Sequence, residues 1–573
     1  MKQLRDHSIL VLGLGDSGLA MCAWARRYGA SVKVWDSREN PPQLQALHAQ
    51  LPGVEFFSGE LTAEHLAGVQ LVLKSPGLSP RDARLAAVYS SGVPVQGELD
   101  LFAAALAELK AERRYAPFVL AITGTNGKTT TTSMTAKLVE AAGLRVGLAG
   151  NIGPSLLTTL ADALDLEPQA IQLPLTSDSG AMPLEGEPVE VEVEIEFEEE
   201  ALVSVSAPDA VDALADDERP LPIKPPPPRG PVFEHLPEVW VLELSSFQLD
   251  GVQGFEPAAG ALLNITQDHL DWHGDMTAYT EAKSRIFGRE ATVMIVNRDD
   301  PLVDALVPAP VMIKQGRGKS AKLQGRHVVR FGLDAPAHPG DFGLVDEGGI
   351  AWLVRARELD PTIKRMKGEA EEDIFIQRLM PADALRVRGR HNAANALAAL
   401  ALASSAGCPL APMLHALREY RGEPHRVEHV QTIHGIDFYD DSKGTNVGAT
   451  VAAILGLGAD RAPAKLVLIL GGDGKGQDFS PLKNGVMRHA RAVALIGRDG
   501  PQIRAVLEGS GVPMESFDTL EAATRWAYAQ AENTDSVLLS PACASLDMFR
   551  NYGHRAEVFV AEVAAIANEE GLV

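Results

Sequence analysis

Residues 118–132, Phe-Val-Leu-Ala-Ile-Thr-Gly-Thr-Asn-Gly-Lys-Thr-Thr-Thr-Thr, constrain the fold more than any other stretch of this chain. An apolar run stops at a glycine-rich turn and restarts with the pattern of a helix. That order predicts the strand, phosphate loop and helix of a parallel α/β sheet. Gly124 and Gly127 let backbone N–H groups turn inward toward a phosphate, Lys128 supplies a point positive charge, and Thr129 offers a hydroxyl to a magnesium ion. The helix that follows aims the positive end of its dipole at the same place. The usual spacing asks for a glycine five residues before Gly127, and that position is Ile122, so the spacing describes a variant loop.

The rest of the chain repeats this grammar. Ser8 to Leu12 and Ser31 to Trp35 read as strands flanking a helix over Leu19 to Tyr28, and Gly13-Leu-Gly-Asp-Ser-Gly18 fits a glycine turn for a nucleotide diphosphate. Asp36 falls about where such a unit places an acid on a ribose, which by itself suggests NAD or FAD. Gln70 to Leu73 leads into Lys74-Ser-Pro-Gly77, a second strand-end loop at the same edge. The pattern changes near Gly97, and Glu98 to Lys110 reads as a connecting helix. Past the phosphate loop, Val239 to Leu242 is a buried-strand run that delivers Glu243, a candidate magnesium ligand, at its tip. A further strand is expected over Ala261 to Ile265. The segment after it holds His269, Asp271 and His273, open to a zinc reading or to oxygen-rich magnesium coordination. Lys283 stands alone on a helical pattern, a position that is usually solvent-facing, and Asn392 at a helix start reads first as a cap.

From about residue 423 three strand tips converge: Phe438 to Asn446, Lys465 to Lys475, and Ser536 to Phe549. Loops at such an edge form the natural crevice of an open α/β sheet. Cys543 has no histidine partner in the pattern and reads as a small buried residue.

Composition matters at two points. With 573 residues, 46% of them hydrophobic, the chain can bury several cores, and three cysteines far apart exclude a disulfide scaffold, so a reducing, cytoplasmic setting is expected. The start has an apolar run too short and too soon broken by glycine for a signal peptide or membrane span. The net charge of −24 argues against nucleic-acid binding, but it is unevenly placed. Residues 167–238 hold eighteen acidic residues against Arg219, Lys224 and Arg229, and so carry −15 of it. This proline-rich interval reads as an insertion without chemistry, in which Val189 to Phe197 alternates like one strand.

Taken together, GTNGKTT, GNIG, LELSSFQL, NITQDHLDWH, HNAANALAA, PHR, DDSKGTN, GGDGK and SPACASLDMF, in this order, resemble the Mur ligase family, most closely its D-glutamate-adding members. The shorter phosphate loop belongs to that pattern. The resemblance implies an α/β protein of three domains: 1–97, Rossmann-like and UDP-binding; 98–422, a P-loop ATPase-like parallel sheet; and 423–573, Rossmann-like and amino-acid-binding. It implies a cytoplasmic, monomeric ligase that uses ATP and two Mg2+ ions to join D-glutamate to UDP-N-acetylmuramoyl-L-alanine in peptidoglycan precursor synthesis. Asp16, Ser17, Asp36, Ser37, Ser75, Pro76, Gly77 and Asn151 would then meet the UDP substrate. Gly124, Thr125, Asn126, Gly127, Lys128, Thr129, Thr130 and Thr131, with Asn392, Asn395, Arg426 and Asp441, would hold ATP.

The metal sites would be Thr129, Glu243, His269 and Lys283, the last as a carbamate, with Lys128, His269 and Lys283 catalytic. Lys443, Thr445, Lys475, Ser545, Leu546 and Tyr552 would surround D-glutamate, Tyr552 standing where the resemblance leads one to expect phenylalanine. The alternatives are a family member that adds another amino acid, an NAD-dependent oxidoreductase resting on Gly13 to Gly18 alone, and a switch NTPase.

Overall fold

The computed structural model describes residues 4–168, 233–314, 321–359, 374–387 and 389–572. The strand expected over 189–197 lies outside them. Three sheets organise these residues, and in each the chemistry-bearing loops leave the carboxyl ends of parallel strands.

The first sheet is entirely parallel, with order β3-β2-β1-β4-β5: β1 (Ser8–Leu12), β2 (Ser31–Asp36), β3 (Glu55–Ser58), β4 (Leu71–Lys74) and β5 (Val95–Gln96). Its register sets Leu12 opposite both Trp35 and Lys74. The glycine turn, Asp36 and Ser75 therefore emerge at one level.

The second sheet has nine strands in the order β16-β15-β14-β13-β10-β9-β6-β8-β7. Its parallel part comprises β6 (Phe118–Thr123), β7 (Val146–Gly150), β8 (Val239–Glu243), β9 (Ala259–Leu262) and β10 (Val293–Asn297). A separate antiparallel hairpin, β11 (Val311–Lys314) with β12 (Ala321–Gln324), precedes β13 (Val328–Phe331), β14 (Phe342–Glu347), β15 (Ile350–Glu358) and β16 (Ile374–Pro381). The expected parallel sheet is thus a mixed one. β14, β15 and β16 pair antiparallel and extend it at one edge, and a two-residue turn at Gly348 and Gly349 joins β14 to β15.

The strand expected over 261–265 also ends earlier, at Leu262. The chain is pulled out of the ladder there, because the Ile265 amide donates to Asp300 Oδ2 (2.7 Å) and Asn264 turns to the phosphate loop.

Helices Lys128–Ala141 and Arg390–Ser405 pack on this sheet around Leu120, Ile122, Met134, Leu138, Val241, Leu397 and Leu400. The first contains Thr129 to Thr132, poor helix formers, so tertiary burial and the loop before it hold it in place. The second is alanine-rich and buried almost all round, and its small side chains let two helices lie close.

The third sheet runs β17-β18-β22-β19-β20-β21: β17 (Glu428–Ile433), β18 (Ile436–Asp440), β19 (Leu466–Gly471), β20 (Ala490–Ile496), β21 (Met514–Ser516) and β22 (Ser536–Leu539). Only β17 is antiparallel to its neighbour. Leu539 lies level with Asp440 on one side and Ile469 on the other, so the three tips do converge. No helix among the described residues is long and apolar enough to cross a membrane.

The ends of the acidic interval are tied into this framework. Glu167 Oε1 accepts the amides of His235 (2.6 Å) and Leu236 (2.5 Å), and Tyr115 donates its hydroxyl to the Pro237 carbonyl (2.6 Å). The packed structure therefore reaches further into 167–238, from both sides, than the sequence suggests.

Candidate active site

The eight residues expected at the UDP substrate all line one cavity of about 1090 Å3, between the tips of the first sheet and the Gly150–Ser155 loop. Asp36 does not wait there with free oxygens. Its Oδ2 accepts the Leu14 amide (2.8 Å) and its Oδ1 the Arg38 amide and Nε, which pins the glycine turn. Burial pushes this carboxyl up, but the hydrogen bonds from Arg38 and the Leu14 amide outweigh it and hold the group below the usual carboxylate range. Ser75 likewise donates to the Gly13 carbonyl (2.7 Å). Asn151 faces the other way too: its Nδ2 donates to Glu243 Oε1 (2.7 Å), linking this cavity to the phosphate loop.

That loop is built from its neighbours. The register sets Glu243 beside Ile122 on one side and Gly150 on the other, level with the end of β6. Asn264 grips Asn126 at both backbone atoms, accepting its amide (2.8 Å) and donating to its carbonyl (3.1 Å). Thr125 Oγ1 meets the Tyr279 hydroxyl (3.0 Å) and receives the Thr266 amide (2.9 Å). Gly127 has φ +81°, and a Cβ there would lie 2.5 Å from Asn395 Oδ1, so only glycine fits. Tyr279, and Asn264 at the head of NITQDHLDWH, are site residues whose partners their own segments do not announce; for Asn264 the available signal is a polar residue at the end of a buried strand and beside a glycine loop.

Lys128 and Lys283 converge on one atom. Both ammonium groups donate to the Gly124 carbonyl, at 2.9 and 2.8 Å, and Lys128 also reaches the Thr125 carbonyl (2.8 Å). Lys283, which a lone helical position suggested was solvent-facing, is 1% exposed and stands 4.8 Å over the Tyr279 ring. The helix Met276–Ser284 turns this face inward because Tyr279 and Ala282 bury with it. Burial, then the nearby Lys128 charge, pushes Lys283 well below the ordinary lysine range, against the pull of Asp268 and Glu243.

Glu243 is 1% exposed, and its Oε2 has no hydrogen-bond partner. An orphaned buried carboxylate oxygen beside a phosphate loop fits a hard divalent cation. Thr129 is buried, and its hydroxyl accepts from Arg426 Nη2 (2.8 Å). His269 holds a left-handed backbone (φ 53°), is part-exposed, and lies 3.5 Å from Asp268. Burial lowers its pKa, Asp268 opposes this, and Lys128, Lys283 and Lys475 lower it further, which favours the neutral imidazole. Among the described residues, the only three His, Cys, Asp or Glu side chains with ligand atoms mutually within 4.8 Å are His425, Glu428 and Asp440; His269, Asp271 and His273 form no such group. His273 instead bonds Ser246 Oγ (2.9 Å), and burial pushes its pKa down to about 4.

A second cavity, about 320 Å3, collects Asn126, Gly127, Thr130, Asn392, Asn395, Arg426 and Asp441 between the central sheet and the third segment. Asn395 donates to Asn392 Oδ1 (3.1 Å), so Asn392 does more than start its helix. Asn446 caps the helix Val447–Arg461 through the Ala449 amide and donates to Asn126 Oδ1 (3.0 Å). Burial raises Asp441 to about 7 against the hydrogen bond from Ser540 Oγ (2.6 Å) and the Arg426 charge. Thr131 is buried in the helix after the loop and does not line this cavity.

Around the expected amino-acid site the structure is less enclosed. Lys443 Nζ stands 5.5 Å over the Tyr552 ring, and burial, then the Arg426 charge, holds it below the ordinary lysine range against the pull of Glu243. Lys475 adopts a left-handed turn (φ 50°). Thr445 and the buried Ser545 flank these loops, while Leu546 is 69% exposed. Arg555, fully buried, ties two of the loops together by donating to the Ser442 (2.7 Å) and Cys543 (3.1 Å) carbonyls, a role its place in a helix did not announce. Cys543 is buried, and its thiol is pushed up to about 12, as an inert packing residue.

Comparison with known proteins defines the class. Residues 7–97 match the Mur ligase MurD-like N-terminal domain, residues 122–182 and 233–403 the Mur ligase middle domain, and residues 425–543 the Mur ligase glutamate ligase domain. The chain belongs to the Mur ligase family. It is 50% identical to the UDP-N-acetylmuramoylalanine--D-glutamate ligase of Albidiferax ferrireducens, over 100% of this chain and 98% of that protein. The ligase of the same name from Burkholderia pseudomallei is 49% identical over 98% of each chain. Among solved structures, MurF from Thermotoga maritima in complex with ADP shares the fold, with a TM-score of 0.52 at 16% identity over 99% of this chain and 97% of that one.

Proposed function

We propose that this chain is the D-glutamate-adding ligase of its family, with ATP, UDP-N-acetylmuramoyl-L-alanine and D-glutamate as substrates. The observation that carries the reading is the pair of lysines on the Gly124 carbonyl beside the orphaned Glu243 oxygen, flanked by one cavity for each nucleotide. Domain limits near residues 97 and 422 follow the same division of labour. The 1090 Å3 cavity takes the UDP moiety, with Asn151 at its sugar end. The 320 Å3 cavity takes the adenosine of ATP.

The alanyl carboxylate attacks the γ-phosphorus of ATP, giving an acyl phosphate and ADP. The D-glutamate amine then adds to the acyl carbon, and the tetrahedral adduct loses phosphate and a proton to leave the amide. Lys128 and the loop amides hold the β- and γ-phosphates and offset charge that grows in the transition state. Thr129, Glu243, His269 and Lys283 would hold two Mg2+ ions, which supply further charge neutralisation. A neutral Lys283 amine is the form that reacts with carbon dioxide, and the resulting carbamate offers oxygen where an ammonium would repel a cation. Lys443, Thr445, Lys475, Ser545, Leu546 and Tyr552 orient the amino acid.

Phosphate release tests this reading. It is expected only when ATP, the UDP-muramoyl-alanine substrate and D-glutamate are all present, with amide product in equal amount. Release supported by another amino acid in preference to D-glutamate would overturn the assignment.

A further inference from the structure

The loop that bears His269 is fastened to the loop that lines the UDP cavity, and the reaction chemistry does not account for the fastening. Trp272 lies three residues beyond His269, in the short helix Leu270–His273, and is 8% exposed. Its indole N–H donates to the Gly77 carbonyl (3.3 Å), within the Ser75–Gly77 turn of the cavity wall. From the opposite direction, Ser79 Oγ and Arg81 Nη1 both donate to the Trp272 carbonyl at 3.1 Å. Gly274 makes room for this: its φ is +92°, and a Cβ would lie 2.9 Å from Arg81 Nη1. Lys74 adds its ammonium 5.5 Å from the indole ring.

On its other side Trp272 is continuous with the metal-facing residue. The amides of Trp272 and His273 both donate to the His269 carbonyl, at 3.1 and 3.0 Å, and fix the left-handed backbone that aims the imidazole. Phe247 completes the unit, its ring centroid 4.7 Å from that of His269 and 4.8 Å from that of Trp272, while the same side chain lines the UDP cavity. The direction of His269 and the position of the cavity wall are therefore set by one packed group with contacts to both.

We infer that Trp272 is a positioning residue: it transmits the placement of the Ser75–Gly77 turn to His269, so that UDP-substrate binding and divalent-metal binding are coupled through the Gly77–Trp272–His269 contacts. The inference rests on the site reading above. Trp272 touches neither reacting atoms nor phosphate in it, and acts only through His269 and Gly77.

Trp272→Phe keeps the ring and removes the N–H, a loss of one hydrogen bond and so a roughly threefold to tenfold effect. The variant is expected to need about tenfold more Mg2+ for half-maximal phosphate release, to bind UDP about threefold more weakly by calorimetry without metal, and to keep kcat at saturating Mg2+ within about twofold. Arg81→Ala, at an exposed side chain, is expected to act in the same direction and more weakly, and the double variant to be no worse than Trp272→Phe alone. Unchanged Mg2+ dependence in Trp272→Phe, or strict additivity in the double variant, would overturn the coupling. Should Trp272→Phe fail to fold, an unchanged UDP affinity and Mg2+ dependence in Arg81→Ala would do so. Wild-type protein that binds no UDP, or releases phosphate without divalent metal, would instead sink the site reading, and the wild-type controls separate the two failures.

Discussion

Two glycine turns, Gly13 to Gly18 and Gly124 to Lys128, follow buried parallel strands and precede helices, yet they have become different instruments. In the first, polar groups are spent on the fold: Asp36 holds the Leu14 amide and Arg38, and Ser75 holds Gly13. What remains is a wide cavity of about 1090 Å3. In the second, charge is left over. Two lysines share one carbonyl, Glu243 keeps an unpaired oxygen, and the third segment reaches in with Arg426. A glycine turn thus gives access to backbone amides, and the neighbouring charges decide whether the turn holds a ligand or helps it react.

The sharpest way to break this contrast is Lys128→Ala. Ligation should fall by at least about 10²- to 10³-fold, while UDP affinity, measured by calorimetry, stays at the wild-type value; a parallel fall in both would mean that the turns are not separate. Lys283→Ala comes next, with a loss of about 10²-fold and partial recovery on adding a short carboxylic acid such as acetate. Full activity without any additive would remove the carbamate from the site. Asp36→Asn should weaken UDP binding about tenfold through the Arg38 and Leu14 contacts, and steady-state kinetics should show the KM for ATP unchanged. Smallest of all is the deletion of residues 169–232. Because Glu167 already bonds His235 and Leu236, a short glycine-serine bridge should leave ligation within about twofold. A large loss would give the acidic interval a function that its sequence does not suggest.

Strand tips and glycine turns were legible because both are local: a buried apolar run and the loop after it are contiguous. The relation of one tip to the next follows from parallel register, which also places Asp441 beside Ser540. Partners that come from distant segments were not legible. Lys283 reads as exposed on its own helix, and only the docking of Tyr279 against Thr125 turns it inward. By its sequence Asn264 belongs to a strand, although the pull of the phosphate loop removes it from the ladder. The antiparallel strands β14 to β16 lack a clean two-residue alternation, since one face is only partly covered. Arg555 lies in no motif, and Trp272 has no role of its own within NITQDHLDWH; each matters through backbone carbonyls that it reaches or offers.

The bond from Arg426 to Thr129 has a thermodynamic corollary. On the site reading proposed above, arrival of a nucleotide would be a swap of partners: the guanidinium would leave a neutral hydroxyl and take an anionic oxygen. Of what Arg426 adds to nucleotide binding, only the difference between the two bonds, on the order of 1 kcal/mol, would then remain as a net gain. The part of Arg426 in nucleotide affinity would accordingly depend on how well the third segment is satisfied beforehand. Severing that bond with Thr129→Val would alter both sides of the balance at once, so nucleotide affinity alone is a poor gauge of the strength of this contact.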